Sequence, residues 1–263
     1  MSDTCTGTRI EQFLAELRNS RQSVLMLDYD GTLAPFRQQR HLALPYPGLS
    51  SLLKDIMRDA HTRVVLVTGR TAYDVIPLLG IYPYPEIWGS HGLERLQPNG
   101  RYELAKADTA VQETLAEAGD WIRAQGLQQF TELKPGSVTL HWRGLSAEDA
   151  ARIRERASLG WQPLAGRPGV ALLEFDGGLE IRFAGRNKGY AVRTVLAETD
   201  AGVPVAYLGD DQTDEDAFRE LRPRGLTVLT RPEWRETRAE VWLRPPEELL
   251  DFLSRWLRMY RDF

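Results

Sequence analysis

Short apolar runs alternate along most of this chain with stretches of helical spacing, the pattern of strands alternating with helices. The run Val24-Leu25-Met26-Leu27 is the first of them, and it ends abruptly in Asp28-Tyr29-Asp30-Gly31-Thr32. Residues 49–57 read as a helix, and residues 63–67 as a strand that stops at Thr68-Gly69-Arg70. A helix over residues 71–79 is closed by Gly80, a residue suited to a C-cap. Residues 87–92 read as a short strand running into a glycine-rich end, and Pro98-Asn99-Gly100 joins two short strands as a hairpin.

The pattern changes character between residues 108 and 183. Val111, Leu115, Ala118 and Ile122 keep helical spacing, while residues 137–143 alternate like a strand with one buried face. Ser146 with Asp149 marks the start of a further helix, and Asp176-Gly177-Gly178 is a strong hairpin signal between two strands. Alternation then resumes with a helix after Lys188, a strand over 203–208, a helix from Thr213 and a strand over 226–229. A last helix follows Pro245-Pro246, with Leu249, Phe252, Leu253, Trp256 and Leu257 on its apolar stripe. The expected fold is α/β: a Rossmann-like parallel-sheet core of residues 1–107 and 184–263, interrupted by an α+β insert of residues 108–183. Inserts of this kind commonly act as lids that exclude water and choose the substrate.

The length of 263 residues suits a core plus a smaller insert, and 42% hydrophobic with 27% charged residues excludes disorder of the whole chain. A net charge of -4 argues against a nucleic-acid partner. The single Cys5 leaves no disulfide framework and no cysteine metal site. No apolar stretch approaches the roughly 18 residues of a membrane span. Residues 1–16 lack the charged and apolar regions of a signal peptide. A cytoplasmic protein with no membrane partner is the expectation.

Carboxylates at the carboxyl end of a buried strand sit where open α/β sheets build their sites. Residues i and i+2 of a strand point to one side, so Asp28 and Asp30 are placed to converge on one group. A carboxylate there can be a nucleophile toward phosphorus, a magnesium ligand or a general acid, although Asp-Gly is also ordinary turn chemistry. Thr68 and the backbone N–H groups after it, at Gly69 and Arg70, form a candidate nest for phosphate oxygens. Lys188 falls where a helix begins, a position the macrodipole disfavours. Gly209-Asp210-Asp211-Gln212-Thr213-Asp214-Glu215-Asp216 packs five carboxylates into seven residues directly after a strand. Thr213 with Asp216 accounts for some as a cap and first-turn acids; Asp210 and Asp211 precede that cap and suit magnesium.

The order of these motifs, DxDGT, Thr-Gly-Arg, Asn-Lys-Gly and GDDxTDED, resembles the haloacid-dehalogenase (HAD) superfamily of aspartate-nucleophile phosphatases with a large α+β cap. Within it the chain is similar to the trehalose-6-phosphate phosphatase family, in Leu27-Asp28-Tyr29-Asp30-Gly31-Thr32-Leu33, in Gly89-Ser90-His91-Gly92-Leu93-Glu94, and from Gly209 through Ala217-Phe218. The resemblance covers residues 24–228 and implies a HAD core that hydrolyses a small-molecule sugar phosphate, trehalose 6-phosphate, with magnesium. It implies Asp28 as nucleophile, Asp30 as acid and base, and magnesium held by Asp28, the main-chain carbonyl of Asp30, and Asp210. Lys188 and Thr68 would bind phosphate oxygens, Asp214 would orient Lys188 or a metal-bound water, and Asp211 would support them.

In residues 132–143 the family's Glu-x-Lys, Ser and His-aromatic-Arg elements recur, so that Glu132, Lys134, Arg143 and Glu180 are implied to meet the sugar. The family's proline after Glu-Ile-Arg is replaced by Phe183-Ala184-Gly185, which leaves the glycoside open. The alternatives are a phosphatase of another glycosyl phosphate (glycosyl-phosphoglycerate or sucrose phosphate), a phosphosugar mutase on the same core, and a sugar-phosphate sensor. A monomer is expected.

Overall fold

The computed structural model describes residues 3–37, 39–175 and 177–261. Asp176, at the head of the expected hairpin, lies outside the described residues, as does the side chain of Cys5. The chain divides into two compact units, Met1–Glu103 with Asn187–Phe263, and Leu104–Arg186.

The elements begin with α1 (Asp3–Arg18), β1 (Ser23–Leu27), α2 (Leu49–Asp59), β2 (Thr62–Val67), α3 (Ala72–Leu79), β3 (Glu86–Gly89), β4 (Glu94–Leu96) and β5 (Tyr102–Leu104). They continue with α4 (Thr109–Ala124), β6 (Thr131–Lys134), β7 (Ser137–His141), α5 (Ala147–Ala165), β8 (Val170–Phe175) and β9 (Gly178–Phe183). The last six are α6 (Lys188–Ala197), β10 (Val205–Gly209), α7 (Glu215–Leu221), β11 (Leu226–Thr230), β12 (Val241–Leu243) and α8 (Glu247–Arg261).

The first unit carries a sheet in the order β12-β11-β10-β1-β2-β3-β4-β5. Pairing is parallel from β12 through β3 and antiparallel between β3 and β4. The chain runs outward from β1 through β2 to β3, then returns on the other side through β10 to β12. β1 and β10 therefore flank the topological switch point, where α/β folds place their ligands. Both are buried along their whole length because both faces of the sheet are covered. Leu25, Leu27, Val64, Leu66, Ala206 and Leu208 pack toward a core that includes Phe13, Leu17, Leu53, Phe252 and Trp256 of α1, α2 and α8. Val24, Met26, Val65, Val67 and Tyr207 pack the other way, against Val192, Val195, Phe218 and Leu221 of α6 and α7. The period of two in the strands sorts these two cores.

α1 is an addition to the expected elements. Its buried Ile10, Phe13, Leu14 and Leu17 stand at i, i+3, i+4 and i+7, a helical signal that a reading concerned only with leader peptides passes over. Elsewhere the expected caps form: Ser146 accepts the Asp149 N–H and Gly80 ends α3 at φ 64°, while Thr71, read as the first helical residue, caps α3 by accepting the Asp74 N–H. Two expected boundaries shift. The strand at β3 ends at Gly89, and Ser90–Gly92 form a 3-10 turn instead. Likewise no helix starts at Thr213: a 3-10 turn over Gln212–Asp214 leads into α7 at Glu215, because Asp214 turns inward to accept the N–H groups of Asp210 and Asp211. Among the described residues no helix is long and apolar enough to cross a membrane.

The second unit is an antiparallel sheet in the order β6-β7-β9-β8 with α4 and α5 on one face. Val138, Leu140, Leu179 and Ile181 line that apolar face and pack with Val111, Ala118, Ile122, Ala157 and Trp161. On the opposite face the register sets Glu132, Thr139 and Glu180 side by side, with Lys134, Ser137 and Arg182 in the next row.

Candidate active site

The carboxyl ends of β1 and β10 meet at the switch point. Asp28 follows β1 and extends its pairing by one bond, donating its N–H to the Leu208 carbonyl at 2.9 Å. Lys188 is the first residue of α6, behind Asn187, whose side chain caps the helix by accepting the Tyr190 N–H at 2.9 Å. Its Nζ bonds Asp28 Oδ1 at 2.7 Å and Asp214 Oδ1 at 2.8 Å. These two carboxylates offset the unfavourable macrodipole at that position. Burial works against the ammonium, but Asp214 and Asp28 outweigh it and hold its pKa above the usual lysine range. The Asp28 carboxyl is pushed up to about 7, first by burial, with Asp214 and Asp30 adding to the rise and Lys188 opposing it. Burial also raises Asp210 well above the usual carboxylate range, helped by Asp28, Asp214 and Asp211.

Oxygen atoms of Asp28, Asp210 and Asp214 lie within 4.8 Å of one another. Asp214 is saturated: Oδ1 accepts from Lys188 and from the Tyr207 hydroxyl at 2.6 Å, and Oδ2 from the N–H groups of Asp210 at 3.1 Å and Asp211 at 3.0 Å. A carboxylate has about four acceptor sites, so Asp214 orients its neighbours and has little left for a metal. Asp210 Oδ1, by contrast, is buried with no hydrogen-bond partner among the described residues. Three hard carboxylates around one ammonium, with an orphaned oxygen among them, fit a magnesium ion held by Asp28 and Asp210. Gly31 makes the room: at φ 84° a Cβ there would stand 2.2 Å from Asp210 Oδ2.

The Asp30 side chain is held by Arg70. β1 ends at Leu27, so strand alternation does not reach Asp30, and its carboxylate takes a two-pronged bond from Arg70 at 2.7 and 2.6 Å. Arg70 is buried and lies over the Tyr29 ring, 5.3 Å from its centroid. What remains of Asp30 for a metal is the main-chain carbonyl. Thr68, fully buried, accepts the Arg70 N–H on its hydroxyl at 3.1 Å. Gly69 lies under the His91 ring, where a Cβ would come within 2.6 Å of the imidazole. Asp211 contributes its backbone N–H to Asp214.

In the second unit Glu132 Oε2 faces Lys134 Nζ at 3.5 Å and His141 Nε2 at 3.2 Å. The buried Glu180 accepts from the Thr139 hydroxyl at 3.2 Å and faces Arg182 at 3.8 Å. Arg143 stands beyond the end of β7, exposed, beside Gly177. Tyr207, His141 and Arg182 are additions to the expected site residues. Tyr207 carried a signal, since a tyrosine inside an aliphatic buried strand needs a partner for its hydroxyl. His141 and Arg182 stand in the His-aromatic-Arg and Glu-Ile-Arg elements, and the register sets them on the face of Glu132 and Glu180.

A mainly parallel sheet covered on both faces, with carboxylates at its switch point bridged by a lysine, is a doubly wound α/β fold. It is shared with a haloacid dehalogenase-like hydrolase from B. subtilis (TM-score 0.62, 14% identity, covering 88% of this chain and 99% of that one). The family described as trehalose-phosphatase matches residues 26–238, and the chain belongs to that family. A trehalose-phosphate phosphatase of Mycobacterium tuberculosis is 29% identical over 269 residues, covering 95% of this chain; the chain spans 65% of that relative's length. The C-terminal domain of C. albicans trehalose-6-phosphate phosphatase superposes with a TM-score of 0.80 at 20% identity, covering 95% of this chain and 96% of that domain.

Proposed function

We propose that this chain is a magnesium-dependent phosphatase that hydrolyses trehalose 6-phosphate to trehalose and phosphate. The observation that carries the reading is the Lys188 ammonium shared between Asp28 and Asp214, beside an Asp210 oxygen with no partner among the described residues. Magnesium held by Asp28, Asp210 and the Asp30 carbonyl would offset the charge that two anions bring together. The Asp28 carboxylate attacks phosphorus in line, forming an aspartyl-phosphate as the bond to the sugar oxygen breaks. Asp30 gives its proton to that oxygen, then takes one from the water that cleaves the intermediate. Arg70 holds the Asp30 carboxylate in place and so acts on the substrate through it.

Lys188 bonds the phosphoryl oxygens, where transition-state charge is spread. The Thr68 hydroxyl already accepts the Arg70 N–H, so its own proton remains to donate to a phosphoryl oxygen beside the Gly69 N–H. The polar sheet face of the second unit, with Glu132, Lys134 and Glu180, and the neighbouring Arg143 carry the charged partners that sugar hydroxyls need. A monomeric cytoplasmic enzyme completes the reading.

Phosphate release from a panel of sugar phosphates, measured with magnesium, is the test. Strong preference for trehalose 6-phosphate is expected. Activity confined to another glycosyl phosphate would keep the Asp28 chemistry and reject the substrate. Isomerised sugar phosphate in place of free phosphate would identify a mutase.

A further inference from the structure

Two arginines outside the reacting groups reach the backbone of the acidic loop: Arg231 Nη1 donates to the Asp210 carbonyl at 3.5 Å, and Arg235 makes the shorter and more numerous bonds. Arg235, between β11 and β12, donates Nε to the Asp210 carbonyl at 3.0 Å and Nη2 to the Asp211 carbonyl at 2.7 Å. Its Nη1 bonds Glu215 Oε1 at 2.5 Å and the Glu236 carbonyl at 2.8 Å. Glu215, the first residue of α7, is held in turn by the Thr237 hydroxyl and the Arg238 N–H, each at 2.8 Å. From the other side, Asp214 Oδ2 takes the N–H groups of the same two residues, Asp210 and Asp211. The backbone of Asp210 and Asp211 is thus gripped at its amides by a carboxylate and at its carbonyls by a guanidinium. That grip fixes the direction in which Asp210 presents the Oδ1 that has no partner among the described residues.

We infer that Arg235 is a positioning residue that holds Asp210 ready to bind the magnesium ion, an inference that rests on the phosphatase reading above. The planar fork of arginine serves three main-chain carbonyls and a carboxylate at once, which the single ammonium of lysine does not. Groups that orient metal ligands in this way commonly change metal affinity by about 10- to 100-fold when removed.

The test is titration calorimetry of the full-length chain with magnesium chloride alone, on wild type, Arg235→Gln and Arg235→Lys. The expected result is a magnesium Kd raised about tenfold in Arg235→Gln, with Arg235→Lys closer to Arg235→Gln than to wild type. The magnesium concentration for half-maximal activity should rise in parallel, while kcat at saturating magnesium stays close to wild type. A guanidinium that merely braces the loop would lower Tm and leave the Kd unchanged, and that outcome overturns the inference. If Arg235→Gln does not fold, the Kd of Arg235→Lys decides by the same criterion. A wild-type chain that takes up no magnesium overturns the phosphatase reading, and this inference with it, whereas equal Kd values in wild type and folded variants overturn the inference alone.

Discussion

The two units hold their acids in opposite ways. At the ends of β1 and β10, Asp28, Asp210 and Asp214 crowd together with one ammonium bonded to Asp28 and Asp214, so that carboxylates outnumber cations. On the polar face of the second unit's sheet the two acids each face a cation, Glu132 with Lys134 and Glu180 with Arg182. Burial does not separate them, since the Glu180 side chain is 4% exposed and that of Asp28 5%. Balance of charge does. A surplus of buried carboxylate calls for a cation and an electrophile, whereas paired acids and bases suit a neutral, hydroxylated partner. On the proposed function the first arrangement serves bond breaking and the second recognition, so variants in the two units should differ in kind as well as in size.

The largest effect belongs to Asp28, the proposed nucleophile. Asp28→Asn should lower kcat by about 10⁴-fold or more, on trehalose 6-phosphate and on p-nitrophenyl phosphate alike, because an amide does not attack phosphorus. Steady-state phosphate release on both substrates reads this directly. Turnover near the wild-type rate would dismiss Asp28 as nucleophile and break the contrast between the units at its root.

Next is the residue that organises the cluster without touching the substrate. Asp214→Asn replaces an acceptor of four bonds with a group that accepts on one side only, releasing Lys188 from one of its two anchors. A loss of kcat on the order of 10²-fold is expected, again equal on both substrates, as when one preorganised electrostatic partner is removed. A loss confined to the sugar phosphate would place Asp214 in recognition, contrary to its position in the core.

How much of this could be read from the chain alone follows from where each signal lives. Asp28, Asp210 and Lys188 were legible because each ends or begins an element whose apolar pattern is local in sequence. The partnership of Asp30 with Arg70 was not, since 40 residues separate them and the strand rule that joined Asp30 to Asp28 lapses where β1 ends at Leu27. The cap expected at Thr213 yielded to a tertiary demand: the inward turn of Asp214 toward Lys188 and Tyr207. Arg235 carries no local mark at all, because its role depends on β11 pairing beside β10.

In the second unit the effect should be smaller and selective. Glu180→Ala removes a buried carboxylate from the polar face, along with its bonds to Thr139 and Arg182. Losing one charged hydrogen bond to a sugar hydroxyl is worth about 1.5–3 kcal/mol, so kcat/KM for trehalose 6-phosphate should fall roughly 10- to 100-fold. Hydrolysis of p-nitrophenyl phosphate, which offers no such hydroxyl, should stay near wild type. Equal losses on the two substrates would remove Glu180 from sugar recognition and leave only its structural bonds.

The gentlest probe of the contrast is pH. Asp28 has a folded pKa of about 7 against an ordinary 3.8, so between those values the metal-free folded chain binds a proton that the unfolded chain has released. Stability therefore declines as pH rises from about 4 through 7, the raised Asp210 adding to the same slope. Urea unfolding of the metal-free protein across this range should show the decline, and Asp28→Asn should flatten part of it. Magnesium competes with those protons for the same oxygens, so saturating metal should reverse the trend and stabilise the protein most at the alkaline end of the window. A metal-free chain whose stability rises from pH 4 to 7 would mean that Lys188 alone balances the cluster, and the charge surplus that distinguishes the core from the second unit would be gone.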